Sequence, residues 1–261
     1  MKKFITTFLP AFLVLMALPA MGQSTPGIIL PFQVDGDVRI IRDADGMSQP
    51  LVEGRSFSEG FTIQTGANGS VTFVQSNGSV ILMEENTSLT VLEYKQTSVS
   101  EMTASEYLKL NREPNGSQTR FRLNSGDISG ETKTLNAGSS YRIETNEGNV
   151  NILGTVWVIS YNASTGRFST SAVTGTVVVN SPDGTSRTVS ANESLVVVAG
   201  NFTETTPSEE AINITNTLVQ QIQAATGVET LSTTNPITIT TTTTPAGDSQ
   251  TVVDLFSPAG G

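Results

Sequence analysis

The sequence predicts an all-β fold, a two-sheet sandwich or a short β-roll of two similar units, with one C-terminal amphipathic helix and a disordered Thr-rich tail. Between residues 27 and 202, apolar side chains alternate with polar ones, and Gly, Asn, Asp and Ser interrupt the pattern at short intervals. Asn-Gly or Asp-Gly pairs lie between the runs and supply the positive φ angles of tight hairpins. These pairs begin at Asp45, Asn68, Asn77, Asn115 and Asp183.

The alternating runs mark the expected strands, because residues two apart on a strand face the same side of a sheet. The inward-facing residues are predicted to be Val38 and Ile40, Val71 and Phe73, Val80 and Leu82, Leu89 and Val91, Phe121 and Leu123, Tyr141 and Ile143, Trp157 with Ile159 and Tyr161, Val177 and Val179, and Leu195 and Val197.

A repeated sequence pattern, which we call the internal echo, suggests the two similar units. The stretch Ile63-Gln64-Thr65 precedes Gly69-Ser70-Val71, and Ile143-Glu144-Thr145 precedes Gly148-Asn149-Val150 further along the chain. Two copies are too few for a solenoid array, and chance similarity is the competing interpretation.

Residues 1–22 have the features of a signal peptide. Lys2 and Lys3 are followed by an apolar stretch, and Ala20 and Gly22 form a small-residue cleavage site. An uncleaved membrane anchor is the alternative, since residues 4–21 are just long enough to span a bilayer. Cleavage predicts a periplasmic or secreted protein.

The end of the chain is expected to contain a linker and amphipathic helix (203–226) and a disordered tail (227–261). Thr206, Pro207 and Glu209 are helix-start signals, apolar residues then recur at three- and four-residue intervals, and Gly227 ends the pattern. The helix, predicted from Pro207 to Thr226, either covers an edge of the β domain at 23–202 or presents a partner surface. The tail is rich in Thr and lacks cations, so it is expected to remain unfolded.

Composition excludes several classes of function. The chain contains no His and no Cys, which removes the commonest general base, thiolate metal sites and disulfides. Its formal net charge of −10 argues against nucleic-acid binding, which needs Lys and Arg. We therefore expect a protein that is not an enzyme and uses no cofactor and no metal.

Three charged groups are candidate sites. The acidic pairs Asp35/Asp37 and Asp43/Asp45 resemble calcium ligands but do not match an EF-hand loop, so turn roles are favoured. Glu84 and Glu85 are adjacent and would point to opposite faces of a strand, which disfavours an acid–base pair. The cations form a potential basic stripe on polar strand positions: Arg120, Arg122 and Arg142. That stripe is either a solvated sheet face or a patch for an acidic partner.

From about Val34 to Val198 the chain resembles the FecR domain, the extracytoplasmic module of bacterial cell-surface signalling regulators. The segment from Tyr141 to Ile159 carries the most specific motif, and the family's hairpin and strand motifs match elsewhere. The matching positions are Thr65, Gly66, Gly78, Gly126, Gly154, Thr155, Trp157 and Gly175, for which structural roles in turns, bulges and the core are expected. Leu153 departs from the family pattern, which commonly has Arg there.

The resemblance implies signal transfer by contact with another protein of the cell envelope. Because only Met1 to Lys3 precede the apolar segment, we expect a stand-alone exported FecR-domain protein without an anti-sigma segment. The sequence thus predicts a non-enzymatic protein-binding module of the bacterial cell envelope, with an envelope protein as partner and a sensing or signalling role. A surface structural or adhesion protein with a Thr-rich spacer tail is the alternative, and a carboxylate-dependent glycan hydrolase is a third.

Overall fold

The computed structural model describes residues 24–226 and two later strands, 238–243 and 249–254. The predicted signal peptide at 1–22 and the rest of the predicted tail lie outside the described residues. The elements are β1 (Thr25–Pro26), β2 (Ile29–Asp35), β3 (Val38–Arg42), β4 (Ser48–Pro50), β5 (Phe61–Thr65), β6 (Ser70–Gln75), β7 (Val80–Met83), β8 (Ser88–Gln96), α1 (Ala104–Leu108), β9 (Ser117–Glu131), β10 (Ser140–Thr145), β11 (Gly148–Ile152), β12 (Val156–Asn162), β13 (Arg167–Ala172), β14 (Thr176–Asn180), β15 (Ser186–Ser190), β16 (Glu193–Val198), β17 (Asn201–Thr205), α2 (Glu209–Thr226), β18 (Thr238–Thr243) and β19 (Ser249–Asp254).

Two sheets pack face to face and share one strand. The first, which we call the open sheet, has the order β4-β3-β5-β8-β9-β10-β11-β14-β15, and β1 extends it beside the end of β8. The second, which we call the covered sheet, has the order β2-β6-β7-β9-β12-β13-β16-β17. The prediction of an all-β sandwich is confirmed.

Strand β9 belongs to both sheets because it changes partners at its centre. Residues 117–125 pair with β8 and residues 118–122 with β10 in the open sheet, whereas residues 126–131 pair with β12 in the covered sheet. Gly126 lies at the change and has a φ of +93°, which favours glycine. A Cβ atom there would lie 2.5 Å from Cα of Thr87, so the strand can cross at this point only without a side chain.

Trp157 of β12 is at the centre of the core between the sheets. Its side chain is fully buried, and Nε1 donates a hydrogen bond to Oγ1 of Thr132 at 2.9 Å. The ring centroid lies 6.4 Å from that of Tyr141, on the opposite sheet. A Cβ on Gly130 would come within 2.7 Å of Cε2 of the indole, so this glycine makes room for the ring.

The two helices cover the outer face of the covered sheet and form a second apolar core. Leu218 and Ile222 of α2 pack there with Val74, Leu82 and Val158. The sequence predicts that α2 either covers an edge of the β domain or presents a partner surface, but the structure packs its apolar side on the sheet face. The reason is that β7 is buried on both sides: Ile81 and Met83 face the sandwich core, while its alternate residues face the helices.

Helix α2 begins at Glu209, two residues later than the predicted start. Ser208 caps it, since its Oγ accepts a hydrogen bond from the backbone N of Ala211 at 3.2 Å. Helix α1 begins with a capping box in which Thr103 and Glu106 bond each other's backbone N–H groups. Among the residues described, neither helix combines the length and apolarity that crossing a bilayer requires.

The two stretches of the internal echo occupy different positions in the fold. Strands β5 and β6 lie in different sheets, whereas β10 and β11 pair directly as a hairpin of the open sheet. Within the tail, where the sequence predicts disorder, β18 and β19 form an antiparallel pair. Their Thr and Val residues are β-branched, which favours extended backbone over coil.

We expect Gly126→Ala to destabilise the domain by more than about 3 kcal/mol, because it adds overpacking against Thr87 to the strain of a positive φ. Gly138→Ala is the matched control, since Gly138 has a φ of +85° and a Cβ there would meet no atom within 4 Å. It should cost about 1–2 kcal/mol. Urea unfolding of both variants measures the difference, and equal costs would show that the contact with Thr87 does not constrain β9.

Candidate functional site

The outer face of the open sheet is a broad polar surface, which we call the open face. The helices contact β6, β9 and β12 on the covered side of the molecule, and outward residues at the centre of the open sheet remain exposed, among them Gln118. The face exists because core-facing residues of these strands alternate with polar ones. Cross-strand neighbours on it are hydrogen-bonded, as in the pair formed by Asn180 Nδ2 and Asn149 Oδ1 at 3.0 Å.

Four cations and two carboxylates lie together at the centre of the open face. We call this group the basic cluster, and its members are Lys95, Arg120, Arg122, Arg142, Glu93 and Glu144. The register of β8, β9 and β10 brings them together: Arg120 lies between Glu93 and Arg142, and Arg122 lies beside Glu144. The cluster therefore has a surplus of positive charge within an acidic chain.

The ion pairs in the basic cluster are long and exposed. Nε of Arg120 lies 3.9 Å from a carboxylate oxygen of Glu93 and 3.9 Å from one of Glu144, and Arg122 lies 3.6 Å from Glu144. About half of each arginine side chain is exposed (46% and 49%), so solvent and salt screen these pairs. Guanidinium N–H groups thus remain accessible to carboxylate or phosphate oxygens of a partner.

The predicted motif residues do not lie in the basic cluster but at two internal junctions. At the first, the Thr65 hydroxyl donates to the Glu84 carbonyl at 2.6 Å and accepts from the Thr87 backbone N at 2.9 Å. Gly66 begins the next turn and donates its N–H to the Asp37 carbonyl. Gly126 packs on the same Thr87, so this junction fastens β5 and the β7–β8 turn to the crossing point of β9.

The second junction lies around Trp157. Gly154 and Gly175 both have positive φ, and a Cβ on Gly175 would come within 2.9 Å of the Gly154 carbonyl oxygen. The Thr155 carbonyl accepts a hydrogen bond from the Thr132 backbone N at 2.9 Å, and the Thr132 hydroxyl in turn accepts from the indole.

Gly78, with a φ of +87°, forms the β6–β7 turn and faces Lys133, whose carbonyl lies near Gly154. Leu153, at the position where the family pattern commonly has Arg, is 59% exposed. The motif residues thus hold two turns and the core tryptophan in place, while Leu153, which differs from the family pattern, is exposed to solvent.

A buried carboxylate that the sequence patterns do not reveal ties two long loops together. Glu113 is 1% exposed, accepts hydrogen bonds from the Ser117 hydroxyl at 2.7 Å and the Asn136 backbone N at 2.6 Å, and is also bonded by the Ser139 hydroxyl. Its neighbours in sequence, Arg112 and Pro114, are exposed and give no periodic signal. Only the tertiary contact between the loops before β9 and β10 shows that this Glu is internal.

The two acidic pairs are separated by the length of β3. Asp35 is the last residue of β2, Asp37 and Asp43 flank β3, and Asp45 pairs with Arg42 at 2.8 Å. The Asp43 carboxylate accepts a hydrogen bond from the Thr62 hydroxyl at 2.7 Å. Across residues 24–226 and the two later strands, no group of three or more acidic residues is arranged to hold an ion.

Glu84 and Glu85 lie in the turn between β7 and β8 rather than on a strand. Partial burial raises the pKa of the Glu84 carboxyl, and the negative charges of Asp127, Glu85 and Glu210 raise it further. Since Glu210 belongs to the first turn of α2, this acidic group lies where the helix meets the covered sheet.

The raised pKa of Glu84 predicts a stability that depends on pH. The folded state binds the Glu84 proton more tightly than the unfolded state, so the ionised carboxylate costs stability at neutral pH, and the cost disappears as pH falls below the ordinary Glu value of about 4.3. Glu84→Gln should therefore melt at a higher temperature than the wild type at pH 7 and at the same temperature near pH 4. Exposed Glu53→Gln is the control, and equal melting of all three proteins at pH 7 would contradict the assignment.

Comparison with known proteins finds a family model that matches part of the chain and two similar structures. Residues 61–178 match the family model described as FecR protein. A 1.65 Å crystal structure of a candidate anti-sigma factor from Parabacteroides distasonis ATCC 8503 is 15% identical, covers 60% of this chain and 64% of that chain, and has a TM-score of 0.45. A 2.50 Å structure with the same description and organism is 11% identical, covers 64% of this chain and 74% of that chain, and has a TM-score of 0.43.

The chain spans just under two thirds of the length of the first of these proteins. No curated protein matches the chain. The family match covers both internal junctions, from Thr65 to Gly175, and it includes the central strands of the open face. Residues 61–178, which we call the FecR region, therefore match the FecR family model, in agreement with the resemblance seen in the sequence.

Proposed function

We propose that this protein is an exported, non-enzymatic FecR-domain protein that binds another protein of the bacterial cell envelope in sensing or signalling. The FecR region at residues 61–178 supports a regulatory role. The observation that carries the binding role is the open face, which is a polar surface with accessible arginines. Buried residues on the other side of the same strands hold these arginines in place. We propose a periplasmic or secreted location, after cleavage of residues 1–22.

In the FecR region the motif residues are internal and other residues face outward, and this arrangement favours binding over catalysis. Its motif residues form turns, strand crossings and the core, so they hold the sheets rather than meet a substrate. The outward residues of the same strands are then held at fixed spacing on a rigid scaffold. A pre-organised surface loses little conformational entropy on association, which favours recognition of a protein partner.

In-cell photo-crosslinking tests the proposed function. A photoreactive residue would be placed at Gln118 on the open face, at Asn213 on α2, and at Glu53 in the loop before β5, all of which are exposed. We expect one envelope protein to be trapped repeatedly from one surface and not from the other two, as identified by mass spectrometry. The same positions in a Gly126→Ala background control for contacts of unfolded chains. Absence of any position-specific product, or self-products alone, would contradict the proposal.

A surface structural or adhesion protein is the second candidate, and the β18–β19 pair within the Thr-rich tail is the observation that favours it. A tail that extends from the β domain would act as a spacer at the cell surface. Deletion of residues 227–261 separates the two functions. Loss of surface retention with unchanged crosslinking of the β domain would support the spacer, whereas unchanged retention would contradict it.

A further inference from the structure

The open face is opposite in charge to the protein that carries it. The chain has 24 acidic and 14 basic residues, yet the basic cluster has four cations and two carboxylates. The acidic group around Glu84, Asp127 and Glu210 lies instead at the covered sheet. At physiological ionic strength charges act over about 8 Å, so a partner on the open face meets the basic cluster rather than the net charge.

The arrangement of the arginines is unfavourable for the isolated protein. Arg120 and Arg142 are direct neighbours on parallel strands β9 and β10, where like charges destabilise a sheet. Arg120 shares two long contacts with carboxylates, and Nε of Arg142 bonds only to a neutral group, Oδ1 of Asn151 at 3.1 Å. Carboxylates from outside would relieve this repulsion.

We propose that the open face binds an acidic segment of a partner protein, with its carboxylates received by Arg120, Arg122 and Arg142. This inference rests on the proposed function, since it assigns the partner surface of the same domain. Guanidinium groups bind carboxylates through two parallel N–H···O bonds, which gives direction as well as attraction. The acidic remainder of the protein repels such a segment elsewhere, so charge selects the face that is used.

The spacing of the arginines suits an extended acidic segment. Arg120 and Arg122 are two residues apart on β9, about 6.7 Å along the strand, and Arg142 lies about 4.8 Å away on β10. An extended chain with Glu at every second residue repeats its carboxylates at the same interval of about 6.7 Å.

The open face is also close in area to one side of a specific protein–protein interface. Its nine strands measure about 40 Å across and about 17 Å along the strands, or about 700 Å². A standard protein–protein interface buries about 800 Å² on each partner. The face can therefore accommodate more of a partner protein than the acidic segment alone.

Binding of a defined probe tests the inference. The probe is a fluorescent nine-residue peptide of alternating Glu and Thr, and the same peptide with Lys in place of Glu is the negative probe. The full chain is titrated against each at several salt concentrations, and anisotropy reports binding. We expect the Glu peptide alone to bind, with an affinity that falls as salt rises.

A pair of charge-matched variants locates the site. The test variant carries Arg120→Gln, Arg122→Gln and Arg142→Gln; the control carries Arg55→Gln, Lys109→Gln and Arg167→Gln, which removes the same charge from exposed positions elsewhere. We expect the test variant to lose affinity about tenfold or more and the control less than about twofold. Arg142→Gln alone serves if the triple variant is unstable, because Arg142 contributes only the bond to Asn151.

Three results would overturn the inference: equal loss in both triple variants, undiminished binding by the test variant, or stronger arginine-dependent binding to phosphatidylglycerol vesicles than to the Glu peptide. The last would identify a membrane surface as the ligand.

Crosslinking distinguishes this inference from the proposed function. An envelope protein trapped from Asn213 but not from Gln118 would retain the protein-binding role and reject the open face as its site.

Discussion

The crossing of β9 from one sheet to the other is the constraint on which the rest of the fold depends. Because one strand supplies the centre of both sheets, its bend sets how they stack and which residues meet between them. The bend requires Gly126, since Thr87 occupies the space of any side chain there. Thr65 bonds the backbone of the same Thr87, so the first strands of the FecR region are held to the crossing as well.

The same alternation that builds the core produces the open face. Phe121 and Leu123 of β9 are fully buried between the sheets, and the residues between and before them, Arg122 and Arg120, are exposed. Inward packing of one set therefore fixes the positions of the other. A partner-binding surface of this kind needs no motif of its own, which explains why the motif residues are internal and the basic cluster lies outside the motif.

The helices make the two sides of the sandwich unequal. Helix α2 removes one sheet face from solvent by packing Leu218 and Ile222 on it, and a hydrogen bond between the side chains of Thr72 and Gln221 fastens helix to sheet. With that side occupied, the open face is the broad sheet surface that the described residues leave to solvent. Its electrostatic character then decides which partners can approach closely.

The sequence by itself determined the apolar–polar alternation of the strands, the hairpin turns, the amphipathic helix and the FecR motif. Each of these features depends on residues that are close together along the chain. It also placed Arg120, Arg122 and Arg142 on polar strand positions. It left open whether these arginines meet, since the pairing of β9 with β10 is parallel and depends on the path of the connecting loop at 132–139.

Tertiary structure alone decided the sharing of β9, the burial of Glu113 between loops, the placement of α2 on a face, and the different pairing of the two echo stretches. These features depend on contacts distant in sequence, for which local periodicity carries no information. Tertiary pairing likewise gathered the scattered cations into one basic cluster, because register across strands, and not spacing along them, sets which charges become neighbours.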